Sequence, residues 1–266
     1  MSQPEDPLSD REQLLVLYFS CLKTVDALSS KCTALRDNGR AIACAVYVGA
    51  ILKDAQAVLV LLKAGCSFSV PKLLRSILES LVNAKAIVVD DSYTDYLVFE
   101  SAYVTRKNVV RLRELGRTRL YRGRVVAEEE SIEFLDNILS AWAGKWECPY
   151  TIEKKFQIAK LQYMYDCSYS TMSGNVHALL STLTTELQNR RELPPFVSLN
   201  NEVDTETLAS WIEIATLSMV ESVECLYQAC DIKPDAELQN IKWNIIQLQR
   251  KYFSTHCPEH YKEYPE

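Results

Sequence analysis

Glycine and proline are scarce in this 266-residue chain, at 7 and 9 residues. An all-β fold needs many tight turns, so that class is excluded. Histidine is scarcer still, with three residues. Nine cysteines form no Cys-x-x-Cys pair, and their odd number argues against a disulfide framework. Most of them fall in apolar stretches, where a free thiol behaves as a small hydrophobe. No Gly-x-Gly-x-x-Gly, phosphate loop, Gly-x-Ser-x-Gly elbow or His-Glu-x-x-His helix occurs, which removes several large enzyme classes. The acidic start MSQPEDPLSD lacks the basic and apolar regions of a signal peptide, so a reducing cytoplasm is expected. The apolar run AIACAVYVGAIL at 41–52 stops at Lys53 and Asp54, too short by itself to span a bilayer.

What is present is helical pattern. Hydrophobic residues make up 48% and charged residues 24%, a globular balance. The spacing predicts an all-α protein, a single bundle of about seven to nine helices. Ser9 and Glu12 form a capping box before the first helix, which stops at Asn38-Gly39. A second helix, from about Arg40 to Gly65, is apolar nearly all round and is expected to be central. Ser69 is expected to cap a third, with Pro71 in its first turn. A fourth runs from Tyr93 to Leu115, and Glu128-Glu129-Glu130 opens a fifth. AGKWECPYT reads as a loop, followed by a less regular stretch through Tyr165 and then a helix over about 173–189. Residues 1–192 are expected to form the core and 193–204 a linker, with 205–266 supplying helices that pack back on it before a short tail.

Two polar quartets stand out on apolar stretches. Arg75 and Glu79, four residues apart in LLRSILESLV, share one side of a helix. A guanidinium there can grip phosphate with Glu79 orienting it; the plainer reading is a surface ion pair. Ser173 and His177 repeat the spacing, and Tyr165 and Tyr169 extend it backward into a ladder. Beside hydroxyls, an imidazole can act as acid or base near neutral pH; the plainer reading is a structural histidine.

Net charge is −6, which offers nucleic acid no overall attraction. Residues 105–124 reverse it locally, with eight Lys/Arg against one Glu, a +7 strip that leaves −13 for the rest. Its members are Arg106, Lys107, Arg111, Arg113, Arg117, Arg119, Arg122 and Arg124, with Tyr121 interleaved. Arginine forks suit phosphate, while the alternative is a solvated helix end paired with Glu128–Glu130. His256, Cys257 and His260 are zinc-capable ligand types in a terminal segment, but a fourth ligand is not evident nearby and no metal is expected there.

LLRSILESLVNAKAIVVDD, after a helix ending in LLKAG, resembles the Arg-x-x-x-Glu helix of domain-of-unknown-function family fifty-six seventy-seven. The stretch from Trp146 to YDCSYSTMSGNVHALL resembles that family's second hallmark, a Tyr followed by a Ser-x-x-x-His helix. The resemblance spans about 40–190 and implies a bacterial, all-helical protein of undetermined activity. It makes Arg75, Glu79, Ser173 and His177 the positions to read together. A looser similarity is to higher-eukaryote-and-prokaryote nucleotide-binding helical domains, whose nucleases place an arginine shortly before the histidine. This chain departs from that pattern, because no arginine stands at that distance before His177.

The expected function is therefore an RNA- or nucleotide-directed protein, a metal-independent RNase of the defence or toxin type that needs no cofactor. In it His177 is the acid/base, Arg75 neutralises phosphate, Glu79 and Ser173 orient them, and the basic strip holds backbone. The alternative is a non-catalytic interaction or sensor module with a structural Arg-Glu-His network. Membrane association is not expected, and spare apolar helix faces are compatible with a homodimer.

Overall fold

The computed structural model describes residues 9–32, 38–115, 129–170, 172, 203–233 and 236–253. Among them are nine α-helical segments and no strand: α1 (Asp10–Ser29), α2 (Gly39–Lys63), α3 (Val70–Val89), α4 (Tyr93–Glu114), α5 (Glu129–Ser140), α6 (Ile152–Ile158), α7 (Gln162–Met164), α8 (Thr205–Ala229) and α9 (Ala236–Phe253). A π-helical turn, Tyr165–Tyr169, follows α7. The expected helix over 173–189 and most of the expected linker lie outside the described residues.

Helix ends follow local chemistry. The Ser9 hydroxyl accepts from the Glu12 amide at 3.3 Å, and the Glu12 carboxylate accepts from the Ser9 amide at 2.9 Å. Asn38 begins α2 by accepting from the Ala41 amide at 3.0 Å, while its own amide donates to the Ala229 carbonyl at the far end of α8. Gly65, at φ +72, closes α2 in the left-handed conformation, and the Cys66 amide folds back to the Leu61 carbonyl. Ser69 does not cap α3, contrary to expectation. It belongs to a 3-10 turn, Ser67–Ser69, with helical backbone angles that turn its hydroxyl away from the capping position.

The core is built on α2, α3 and α8, with α1 packed across α2 and α8. Helix α8 is buried along its length through Leu208, Ile212, Ala215, Met219, Val223 and Leu226. Its buried Thr216 and Ser222 return their hydroxyls to the carbonyls of Ile212 and Met219, whereas the buried Ser218 hydroxyl on the same helix has no such partner. Helix α2 is less central than its composition predicts. Ile42, Val46 and Val60 on its outer side are more than two-fifths exposed, because α1, α3 and α8 cover its other faces. At 25 residues α2 is long and apolar enough to cross a membrane by length and composition. Its Ala41, Cys44, Val48, Ile51, Ala55 and Val58 face is instead buried in the protein core.

Beside this core, α4 carries an aromatic row that the segment after α5 completes. Tyr96 stacks on Tyr150 at 4.2 Å and meets Trp146 edge-on at 5.7 Å. The Trp146 indole N–H donates to the Tyr150 hydroxyl, satisfying its polar edge. Trp146, expected in a loop, is therefore a core residue of irregular backbone. Helix α6 leans on α3 through Phe156, which is fully buried. It stops where Lys160 adopts φ +59 and the Leu161 amide returns to the Phe156 carbonyl.

Candidate functional site

Helix α3 divides into two faces. Leu74, Ile77, Leu78, Leu81 and Val82 enter the core, while Lys72, Arg75, Ser76, Glu79 and Asn83 form a polar row along the other side. Four of these, Lys72, Arg75, Ser76 and Glu79, line an open groove of about 290 Å³.

Arg75 donates from Nε to Glu79 Oε1 at 2.9 Å. The same oxygen accepts from the Tyr169 hydroxyl at 2.6 Å, so one carboxylate ties α3 to the π-helical turn. The guanidinium carbon lies 5.1 Å from the centre of the Tyr169 ring, within cation–π range. Tyr169 is in turn seated on Phe156 at 5.2 Å and Tyr165 at 5.6 Å. The arginine thus has its plane set by a ring and its Nε set by a carboxylate. Burial opposes its charge, but the Glu79 hydrogen bond and the pull of Tyr169 and Glu79 outweigh that, and Arg75 titrates above its ordinary value. Burial, with the Glu79 bond second, raises Tyr169 to about 12, so the phenol stays protonated as a donor.

The row continues one turn further. Asn83 donates to the Glu79 carbonyl at 2.9 Å and accepts from the Tyr93 hydroxyl at 2.8 Å. On the side of the groove away from Tyr169, Lys72 lies 5.5 Å from the ring of Phe68, an aromatic that is 46% exposed.

The family of unknown function DUF5677 matches residues 41–192. This chain belongs to the DUF5677 family. The match opens within α2 and takes in the Arg75–Glu79 pair and the π-helical turn, whereas α1, α8 and α9 lie outside it. In this DUF5677 chain α8 packs on both α2 and α3, α1 lies across α2 and α8, and α9 packs on α8, closing the core from which the polar row projects. No curated protein and no solved structure matches the chain.

The structure brings Arg75 and Glu79 together and adds Tyr169, which the tyrosine ladder had pointed toward His177 instead. Ser173 and His177 lie outside the described residues. Of the basic strip, Arg106 pairs with Asp136 of α5. Lys107, Arg111 and Arg113 occupy exposed positions in the last turns of α4. Arg117, Arg119, Arg122 and Arg124 are outside the described residues, as are His256, Cys257 and His260. Among the described residues no cluster of three or more His, Cys, Asp or Glu has the geometry for a metal ion. Lys72 and Asn83 escaped the sequence reading, although their spacing of three before Arg75 and four after Glu79 places them on the same helix side.

Replacing Tyr169 with phenylalanine keeps the ring beneath Arg75 and removes the bond to Glu79. A hydrogen bond to a charged group at a half-exposed site contributes about 1–2 kcal/mol. Urea unfolding of Tyr169→Phe is expected to register that loss; a midpoint identical to wild type would remove the bond from the account.

Proposed function

We propose that this protein acts on RNA or a nucleotide, as a metal-independent RNase of the defence or toxin type. The observation that carries the reading is the oriented Arg75, held by Glu79 and Tyr169 at a groove it shares with Lys72. Two cations one turn apart on a rigid helix suit a phosphodiester, with the fork of Arg75 giving direction and Lys72 adding charge. His177 is the acid/base in this proposal. It withdraws the proton from the ribose 2′-hydroxyl, whose oxygen attacks the adjacent phosphorus; the bond to the 5′-oxygen breaks, and that oxygen takes up a proton from water as it leaves a 2′,3′-cyclic phosphate behind. Glu79 and Ser173 orient the charged and titrating groups. Lys107, Arg111 and Arg113, with the remainder of the strip, meet the backbone further along.

The test is cleavage of a labelled mixed RNA pool in the presence of a chelator. Wild type is expected to cut. His177→Ala is expected to lose about 10²–10⁴-fold in rate while circular dichroism stays unchanged, and Arg75→Ala should lose activity in the same way. An inactive wild type removes the RNase.

One observation favours a second reading, that of a non-catalytic interaction or sensor module. Glu79 Oε1 accepts two protein hydrogen bonds and Tyr169 is almost fully buried, as in a network whose work is to specify helix packing. Thermal melting of Arg75→Ala separates the two. A large drop in midpoint supports the packing role, and a fold-neutral loss of RNA cleavage supports the RNase.

A further inference from the structure

Two phenylalanines near the Arg75 groove stand out from the surface with lysines laid against their rings. Helices α1 and α2 run antiparallel, because the Tyr18 hydroxyl donates to the Ala55 carbonyl and Arg11 to the Leu62 carbonyl. That arrangement sends Tyr18 into the core and leaves its neighbour Phe19 outside, 40% exposed. Two ammonium groups lie over the Phe19 ring, Lys23 at 4.9 Å and Lys63 at 5.0 Å from its centre. Lys23 is one turn further along α1, and Lys63 is in the last turn of α2. Arg11 adds a cation at the same helix end, its Nη2 lying 3.0 Å from the Leu62 carbonyl.

That end of α2 leads to the groove. Phe68 follows Lys63 by five positions, a stretch that spans at most about 18 Å even when extended. The left-handed turn at Gly65 shortens it further. Phe68 is exposed, and Lys72, 5.5 Å from its ring, lines the groove with Arg75. Cation and ring therefore alternate through Lys23, Phe19, Lys63, Phe68, Lys72 and Arg75. Among the described residues no carboxylate pairs with Lys23, Lys63 or Lys72. The groove's own carboxylate, Glu79, has its charge met by Arg75.

We propose that Phe19 and Phe68 are base-stacking platforms on a track that leads unpaired RNA into the Arg75 groove, with Lys63 and Lys72 taking the phosphates beside them. The proposal rests on the RNA reading above and names its substrate class: single-stranded, not duplex. A solvent-exposed ammonium holds a ring more weakly than a stacked base does. An arriving base therefore displaces the lysine from the ring face, and the flexible lysine swings to the adjacent phosphate. Every base has a flat face, so such platforms accept any sequence. A duplex keeps its bases stacked on one another and offers none to a phenylalanine.

The test is fluorescence anisotropy of the full-length protein with a short labelled RNA of mixed sequence, alone and annealed to its complement. Every ribose carries a 2′-O-methyl group, so the attack proposed above cannot cut the probe. Wild type is expected to bind the single strand more tightly than the duplex. Phe19→Ala and Phe68→Ala are each expected to weaken single-strand binding by about 5- to 150-fold and to leave duplex binding unchanged. Phe19→Trp and Phe68→Trp keep a platform and are expected to retain wild-type affinity, which guards against a fold defect in the alanine variants. Duplex preference in wild type overturns the track, as does unchanged single-strand binding by a Phe19→Ala, Phe68→Ala double variant. If that double variant also cuts unmodified RNA like wild type, the RNase reading survives without the track. A wild type that binds the strand through both rings yet cuts nothing keeps the track and removes the RNase.

Discussion

Replacing Lys155 with methionine is expected to lower unfolding free energy by about 3–5 kcal/mol. Lys155 reaches from α6 to the Glu100 carboxylate of α4 at 2.7 Å, with the two side chains only 12% and 21% exposed. Glu100 also accepts from the Tyr96 hydroxyl at 2.8 Å, and that hydroxyl accepts from the Tyr150 amide at 2.9 Å. The ion pair therefore anchors a chain of bonds joining α4 to the segment that leads into α6. Without the ammonium, the carboxylate keeps one neutral donor in a site that water barely reaches. The cost follows from stranding a charge, not from the worth of the pair. Combining Lys155→Met with Glu100→Gln removes that charge and is expected to restore most of the loss. Urea unfolding of both variants decides the matter: a single-variant loss under 1 kcal/mol would show the pair to be solvated.

The second large effect is expected at Phe156. Its ring is fully buried and contacts Tyr165 at 5.4 Å and Tyr169 at 5.2 Å. Truncation to alanine removes most of a core side chain and leaves a cavity, a loss of about 3–5 kcal/mol. The consequence reaches the groove, because Tyr169 loses its seat, and with it go the bond to Glu79 and the ring beneath Arg75. On the proposed function, Phe156→Ala is therefore expected to weaken RNA binding as well as stability, although it touches no groove residue. Phe156→Leu, which retains more of the volume, is expected to lose under about 1.5 kcal/mol and to preserve the site. Chemical denaturation and an RNA-binding titration on both variants test the coupling. Equal binding by wild type and a still-folded Phe156→Ala would detach Phe156 from the site.

Much of the architecture was legible because it depends on near neighbours in the chain. The Ser9–Glu12 box and the Gly65 stop are local bonding patterns that a short window contains whole, whereas Asn38, expected to stop the first helix, instead caps α2 after α1 has ended at Ser29. Periodicity alone gave α3 its two faces, and the spacing of Arg75 and Glu79 alone made their contact available. Reading failed where a distant partner decides the outcome. Ser69 resembles a cap, but the turn entering α3 is tightened into a 3-10 turn from Ser67. Helix α2 has the composition of a central helix, yet Val46 and Val60 stay exposed because its neighbours occupy other sides. Lys155, in the run Glu153-Lys154-Lys155, looks like any solvated cation until α4 supplies Glu100.

The sequence by itself determined the helical class, the helix limits with local caps, and the alignment of Arg75 with Glu79, since rotation and rise within one helix fix all three. Tertiary structure decided which groups join them from elsewhere. It set Tyr169 against Glu79 across 90 positions, and it brought Lys155 to Glu100. No local pattern encodes these meetings, because they follow from how whole helices share one buried core, and side chains far apart in the chain become neighbours only when that core closes.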